Sequence, residues 1–323
     1  MSPDRESQTP DPLDALHARG VTDGLPVVLP TPARVAAAVA ASGRAPDELI
    51  ALVAPRLGRA TVEKVAINAV MAGCRPEYMP AVIAAVEAIC DPAFALVGVS
   101  GTTDAVALLL ILNGPVRAAL EVNSGAGAFG PGWRANATIG RAARLVWQNV
   151  GGTAAISMST FSQPGRYSYC IGEHEEASPW EPLHVEHGFA ADTSTVAAIA
   201  AEAPQVVANT QGRTARDVLA SVARSGLVIA SDAHAGLTDT VLVIGPEHAR
   251  TIAGDCWSKR DVRRFLWDEM RVGTGRDARP KLRGPENIRI VVAGGTAGRF
   301  SAWIPGWPFP GSPSSMVIKA LGG

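Results

Sequence analysis

Basic runs, long apolar runs and clustered cysteines are all missing from this sequence, and each absence removes a class of protein. Its 323 residues carry 29 Lys+Arg against 30 Asp+Glu, a formal net charge of −1. A nucleic-acid-binding surface needs a stripe of Lys and Arg, and no such stripe is present. No segment reaches the roughly 18 consecutive apolar residues that a membrane span needs. Met1 to Pro12 lack the basic start and apolar run of a signal peptide and read as a frayed tail. The four cysteines, Cys74, Cys90, Cys170 and Cys256, lie far apart. A disulfide-built secreted scaffold is short and dense in cysteine, so four free thiols in a reducing, cytoplasmic compartment are expected. No repeat of fixed period is found, which removes solenoids and propellers.

What is there suits a globular chain with a sizeable core: 47% apolar residues, 18% charged, and 33 glycines that allow close backbone approach. The length allows one large domain or two lobes. Asp23-Gly24 is read as a turn leading into a short strand that Pro30 ends, and Thr31-Pro32 as the start of a helix to Ser42. Helices are expected over about residues 60–71, 79–89 and 134–148, with a Gly-rich strand-and-turn zone from 95 to 132. In the last third, strands at 196–201, 226–230 and 240–244 alternate with helices at 214–224, 246–253 and 259–270. The alanines of residues 193–203 also suit a helix. A last pair of strands surrounds Val291 to Gly295. The fold class is therefore mixed α/β, with residues 1–20 a disordered tail, 21–188 a motif-bearing lobe and 189–323 an α/β lobe.

Three constellations carry polar chemistry. In the first, Lys64 and Asn68 share a helix face beside Glu63, and Cys74 follows the helix end next to Arg75, whose charge favours thiolate. In the second, the glycine-rich loop from Asn123 to Gly132 runs into a helix start with Arg134, Asn136 and Arg141, a pattern that suits an anion. It is neither a Walker loop nor a dinucleotide fingerprint. In the third, Cys170, Glu173, His174 and Glu175 place a thiol, an imidazole and carboxylates in one stretch, followed by His184 and His187. No zinc-type spacing is present, and no metal or cofactor is assigned. Asp232-Ala233-His234 and Gly294 to Ser301 are weaker motifs that an ordinary turn explains.

Several of these stretches, from Asp23 to Val28, Ala60 to Lys64, Asn68 to Tyr78, Arg134 to Ala142 and Ser178 to Val185, resemble the bacterial UGSC-type (seleno)protein family. The resemblance runs from about Asp23 to Trp307. It implies a link to thiol or selenol redox chemistry through a Cys/Sec-Gly-Ser-Cys element, which this chain lacks. The expectation is a small-molecule enzyme acting on an anionic or polar substrate. Cys74 or Cys170 would be its thiolate nucleophile, with Glu173, His174 or Glu175 moving protons. Glu63, Lys64, Asn68, Asn123, Arg134, Asn136 and Arg141 would bind substrate. The alternative is a non-catalytic subunit or binding module partnering a protein that carries the Cys-Gly-Ser-Cys element. Self-association stays open, and the pocket is expected among residues before Phe189.

Overall fold

The computed structural model describes residues 11–153, 158–229, 239–308 and 314–322. The fold is mixed α/β, arranged as four layers: helices, sheet, sheet, helices. The first sheet has the order Val317–Ala320, Thr195–Ala201, Ala107–Asn113, Cys170–Gly172. Its two central strands pair antiparallel over seven residues, from Ala107 opposite Ala201 to Asn113 opposite Thr195. The second sheet has the order Ile288–Val292, Thr240–Ile244, Phe300–Pro305, Gln205–Ala208.

The period of two along each strand explains the layers. Leu108, Leu110 and Leu112 face the helices Val62–Ala72, Met79–Ile89 and Arg134–Gly151. Their neighbours Ala107, Leu109 and Ile111 face the other way and pack with Val241, Val243, Val291 and Ile304 of the second sheet. The outer face of that sheet, Leu242, Ile244, Ile290 and Trp303, is covered by the helices Ala215–Gly226, Pro246–Gly254 and Lys259–Glu269. A strand buried on both faces shows a continuous apolar run instead of alternation, and for that reason the alanines of residues 195–201 left helix and strand both open. Burial between two layers decides for strand.

Four readings of the sequence need correction. The chain does not divide at Phe189, because Thr195–Ala201 and Val317–Ala320 belong to the sheet begun by Ala107–Asn113. Part of the expected tail is ordered: Pro12–Ala18 is a helix capped by Asp11, and Leu13 and Leu16 pack on the first core. Asp23 to Val28 form no strand; Val28 N–H instead donates to the Met71 carbonyl. Residues 226–229 close a helix, with Leu227 as its C-cap. Asp232, Ala233 and His234 lie outside the described residues. Among the described residues, no single helix is long and apolar enough to cross a membrane.

Candidate active site: a buried arginine cleft

The first expected constellation is structural. Asn68 is buried between two helices, donating to the Lys64 carbonyl at 2.9 Å and accepting from Asn149 at 2.7 Å. Lys64 reaches the Arg59 carbonyl from an exposed position, and Glu63 is exposed in the first helical turn. These three residues do not converge on a cavity. Cys74 does line one, a hollow of about 310 Å³ rimmed by Arg34, Arg75 and Arg134. Its thiol lies 3.3 Å from the Thr138 carbonyl. Burial pushes that thiol up to about 12, against the opposing pull of Thr138, Arg134 and Arg141. Burial raises the Cys170 thiol as well, where it packs against Gly140. The long helix does bring both sulfurs towards its Arg134–Arg141 stretch, but desolvation outweighs the pull of Arg134 and Arg141 at Cys74 and that of the Gly140 backbone at Cys170. Burial therefore stands against the expected thiolate at both positions. All four cysteines are free.

The polar groups of the second constellation are taken up within the loop and by neighbouring segments. Asn136 accepts from Asn123 N–H at 2.8 Å and donates to the Asn123 carbonyl at 2.9 Å. Asn123 in turn holds Gly125 N–H and the Ala126 carbonyl. Arg134 donates to the Gly73 carbonyl. Arg141 grips both oxygens of Asp23 at 2.7 Å and also the Pro26 carbonyl. What looked like an anion loop is a clasp that closes the start of the helix and ties down Asp23 to Pro26.

The third constellation is a joint between layers. Glu173 N–H donates to the Leu112 carbonyl of the first sheet, and His174 N–H to the Val292 carbonyl of the second. The Glu173 carboxylate is wholly buried and accepts from Asn113 at 2.6 Å and Leu183 N–H at 2.8 Å. Burial raises its pKa, opposed by Lys259, whose ammonium lies 4.0 Å away. Glu175 accepts from Asn113 and Gly114 N–H and pairs with Arg117 at 3.0 Å. His174 Nδ1 sits 3.4 Å from the Gly294 carbonyl. These groups hold the backbone and one another, and none of them lines the thiol hollow.

A further cleft was not foreseen. It measures about 500 Å³ and lies between the long helix and residues 159–167. Arg144 and Gln148, one turn apart on the helix, form one wall; Gln163, Arg166 and Tyr167 form the other. Arg144 is only 7% exposed. Its Nη1 has no hydrogen-bond partner among the described residues, and neither does Nη2 of Arg166. Burial, then the charge of Arg166, pulls the Arg144 pKa down to about 10, with Asp23 opposing. Burial lowers the Arg166 pKa too, with Asp104 opposing.

Hydrogen bonds hold both walls of the cleft. Arg166 Nε donates to the Val106 carbonyl at 2.8 Å, and Gln163 donates to the Ala105 and Ala201 carbonyls. These bonds pin the 159–167 segment to the end of the first sheet. Gln148 is held by the Thr22 carbonyl, and the Arg144 guanidinium lies 4.8 Å from the Trp147 ring centroid. The signal in the sequence was Arg144 itself, a charge inside the apolar run Ala142 to Trp147. Among the described residues, no group of three or more His, Cys, Asp or Glu is placed to hold a metal ion. The chain matches no protein-family model and no curated protein.

Proposed function

We propose that this protein captures a small organic oxyanion between Arg144 and Arg166, as the substrate site of a small-molecule enzyme. One observation carries the reading. Two guanidiniums that repel each other, Arg144 buried and Arg166 half-buried, each keep one buried N–H donor unfilled beside a cleft of about 500 Å³. Desolvating a cation without a partner is costly, and a buried donor left unmade costs further. Folding returns the Arg144 contact with Trp147 and the Arg166 bond to the Val106 carbonyl but leaves the two donors unfilled; an anion bridging the two groups fills them through charge-assisted hydrogen bonds. The reading keeps the anionic small-molecule substrate expected from the sequence and moves it from Arg134 and Arg141 to Arg144 and Arg166. It needs no thiolate. The chemistry such a site favours is a reaction that builds negative charge on the bound group, which the paired cations stabilise.

The test uses R144M, with acetate and inorganic phosphate as probes in calorimetric titrations. Wild type is expected to bind at least one of them, and R144M to lose that binding while its ligand-free stability rises. A double variant of the thiol hollow, R34A/R134A, is expected to bind as wild type does. Binding that persists in R144M overturns the reading, and so does a ligand-free R144M that is markedly less stable than wild type.

A further inference from the structure

The charges around the cleft and the rings at its mouth narrow the ligand further. Three guanidiniums gather there: Arg144, Arg166 and, behind Asp23, Arg141. Two carboxylates act on them. Asp23 is bound through both oxygens by Arg141, and Asp104 raises the Arg166 pKa from beside the cleft. One positive charge is left over, which a singly charged anion balances and a dianion overshoots. The two unfilled donors, Arg144 Nη1 and Arg166 Nη2, come from separate side chains. A carboxylate has two oxygens in one plane and can give one to each.

The cleft also carries exposed aromatic side chains. Phe161 lines it and is 90% exposed, and Tyr167 lines it at 48%. An aromatic ring left almost wholly in water gains nothing for the fold, whereas a flat apolar body laid against it removes both surfaces from water. A cleft of this size holds a ligand of one or two rings. Resting on the oxyanion reading, we infer that the ligand is an aromatic monocarboxylate: its carboxylate bridges Arg144 and Arg166, and its ring lies against Phe161 and Tyr167.

Titration calorimetry with benzoate, acetate and inorganic phosphate tests this on wild type and F161A. Phe161 is exposed, so its truncation leaves the fold intact, which circular dichroism checks. Benzoate is expected to bind at least about tenfold more tightly than acetate, and more tightly than phosphate. F161A is expected to cut the benzoate-over-acetate preference about threefold or more. Equal affinity for benzoate and acetate, a preference unchanged in F161A, or phosphate as the tightest ligand overturns the aromatic monocarboxylate and leaves the oxyanion site standing. Failure of all three anions to bind wild type overturns both.

Discussion

At the scale of single residues, burial decides the charge states that the sequence left open. Arg144 is a base whose pKa burial lowers on folding, to about 10. The unfolded chain therefore holds that proton more tightly than the folded one. The cost is complete below about pH 10, of order 3 kcal/mol, and is relieved as pH rises from there towards the ordinary guanidinium range. The stability advantage expected of ligand-free R144M should accordingly narrow in denaturation curves taken from about pH 8 to about pH 11. The thiols follow the same rule with the opposite sign of charge. Burial pushes Cys74 and Cys90 up to about 12 and raises Cys170 as well, whereas Cys256 is exposed. Iodoacetamide near neutral pH is expected to label Cys256 first, with the other three slower by about tenfold or more. Peptide mapping checks the order; Cys74 or Cys170 reacting first would restore the thiolate nucleophile.

At the scale of elements, local signals placed the helices well and their partners poorly. The helix Met79–Ile89 falls where its spacing predicts, and Ser258 caps Lys259–Glu269 through a capping box with Asp261. Thr61 ends a strand and caps the next helix at once, so the expected start at Ala60 shifts to Val62. What the helical pattern does not reveal is why Gly140 stands inside the long helix. A Cβ there would meet Ser168 Oγ at 2.8 Å, Tyr169 N at 3.0 Å and Cys170 Cβ at 3.2 Å. Alanine is the better helix former by about 1 kcal/mol, yet forcing apart a packed helix and strand costs about 1–3 kcal/mol. G140A is therefore expected to destabilise the protein in urea. Because Arg166 lies on the same displaced segment, it should also weaken oxyanion binding.

At the scale of the whole molecule, stability depends on the joint that ties the two sheets and the outer helices. Lys259 is 5% exposed and lies 3.2 Å from Glu186 and 4.0 Å from Glu173. Arg263 reaches the other oxygen of Glu186 and the Ile288 carbonyl. Removing one partner of such a buried set leaves charges unpaired. K259M is expected to cost about 3–5 kcal/mol in chemical denaturation. A loss under about 1 kcal/mol would mean that solvent reaches the joint and screens it. The joint also explains why the carboxylates and imidazole of residues 173–175 looked functional: they are polar because they cross between layers, where backbone and side-chain groups need partners.

The sequence by itself determined the mixed α/β class, the positions of most helices and the strands Thr240–Ile244 and Ile288–Val292, because these depend on periodicity and capping within a few residues. It also brought attention to the stretch before Phe189. Tertiary structure alone decided the layer order, since strand pairing joins residues as distant as Val317 and Ala198. It likewise decided which polar residues are spent and which are free. Asn123, Asn136, Arg141 and Glu175 are consumed by partners far along the chain or across a turn. Arg144 and Arg166 are left with open donors beside a cleft. Hydrogen-bond satisfaction and desolvation are properties of the packed environment, and local sequence carries no measure of either.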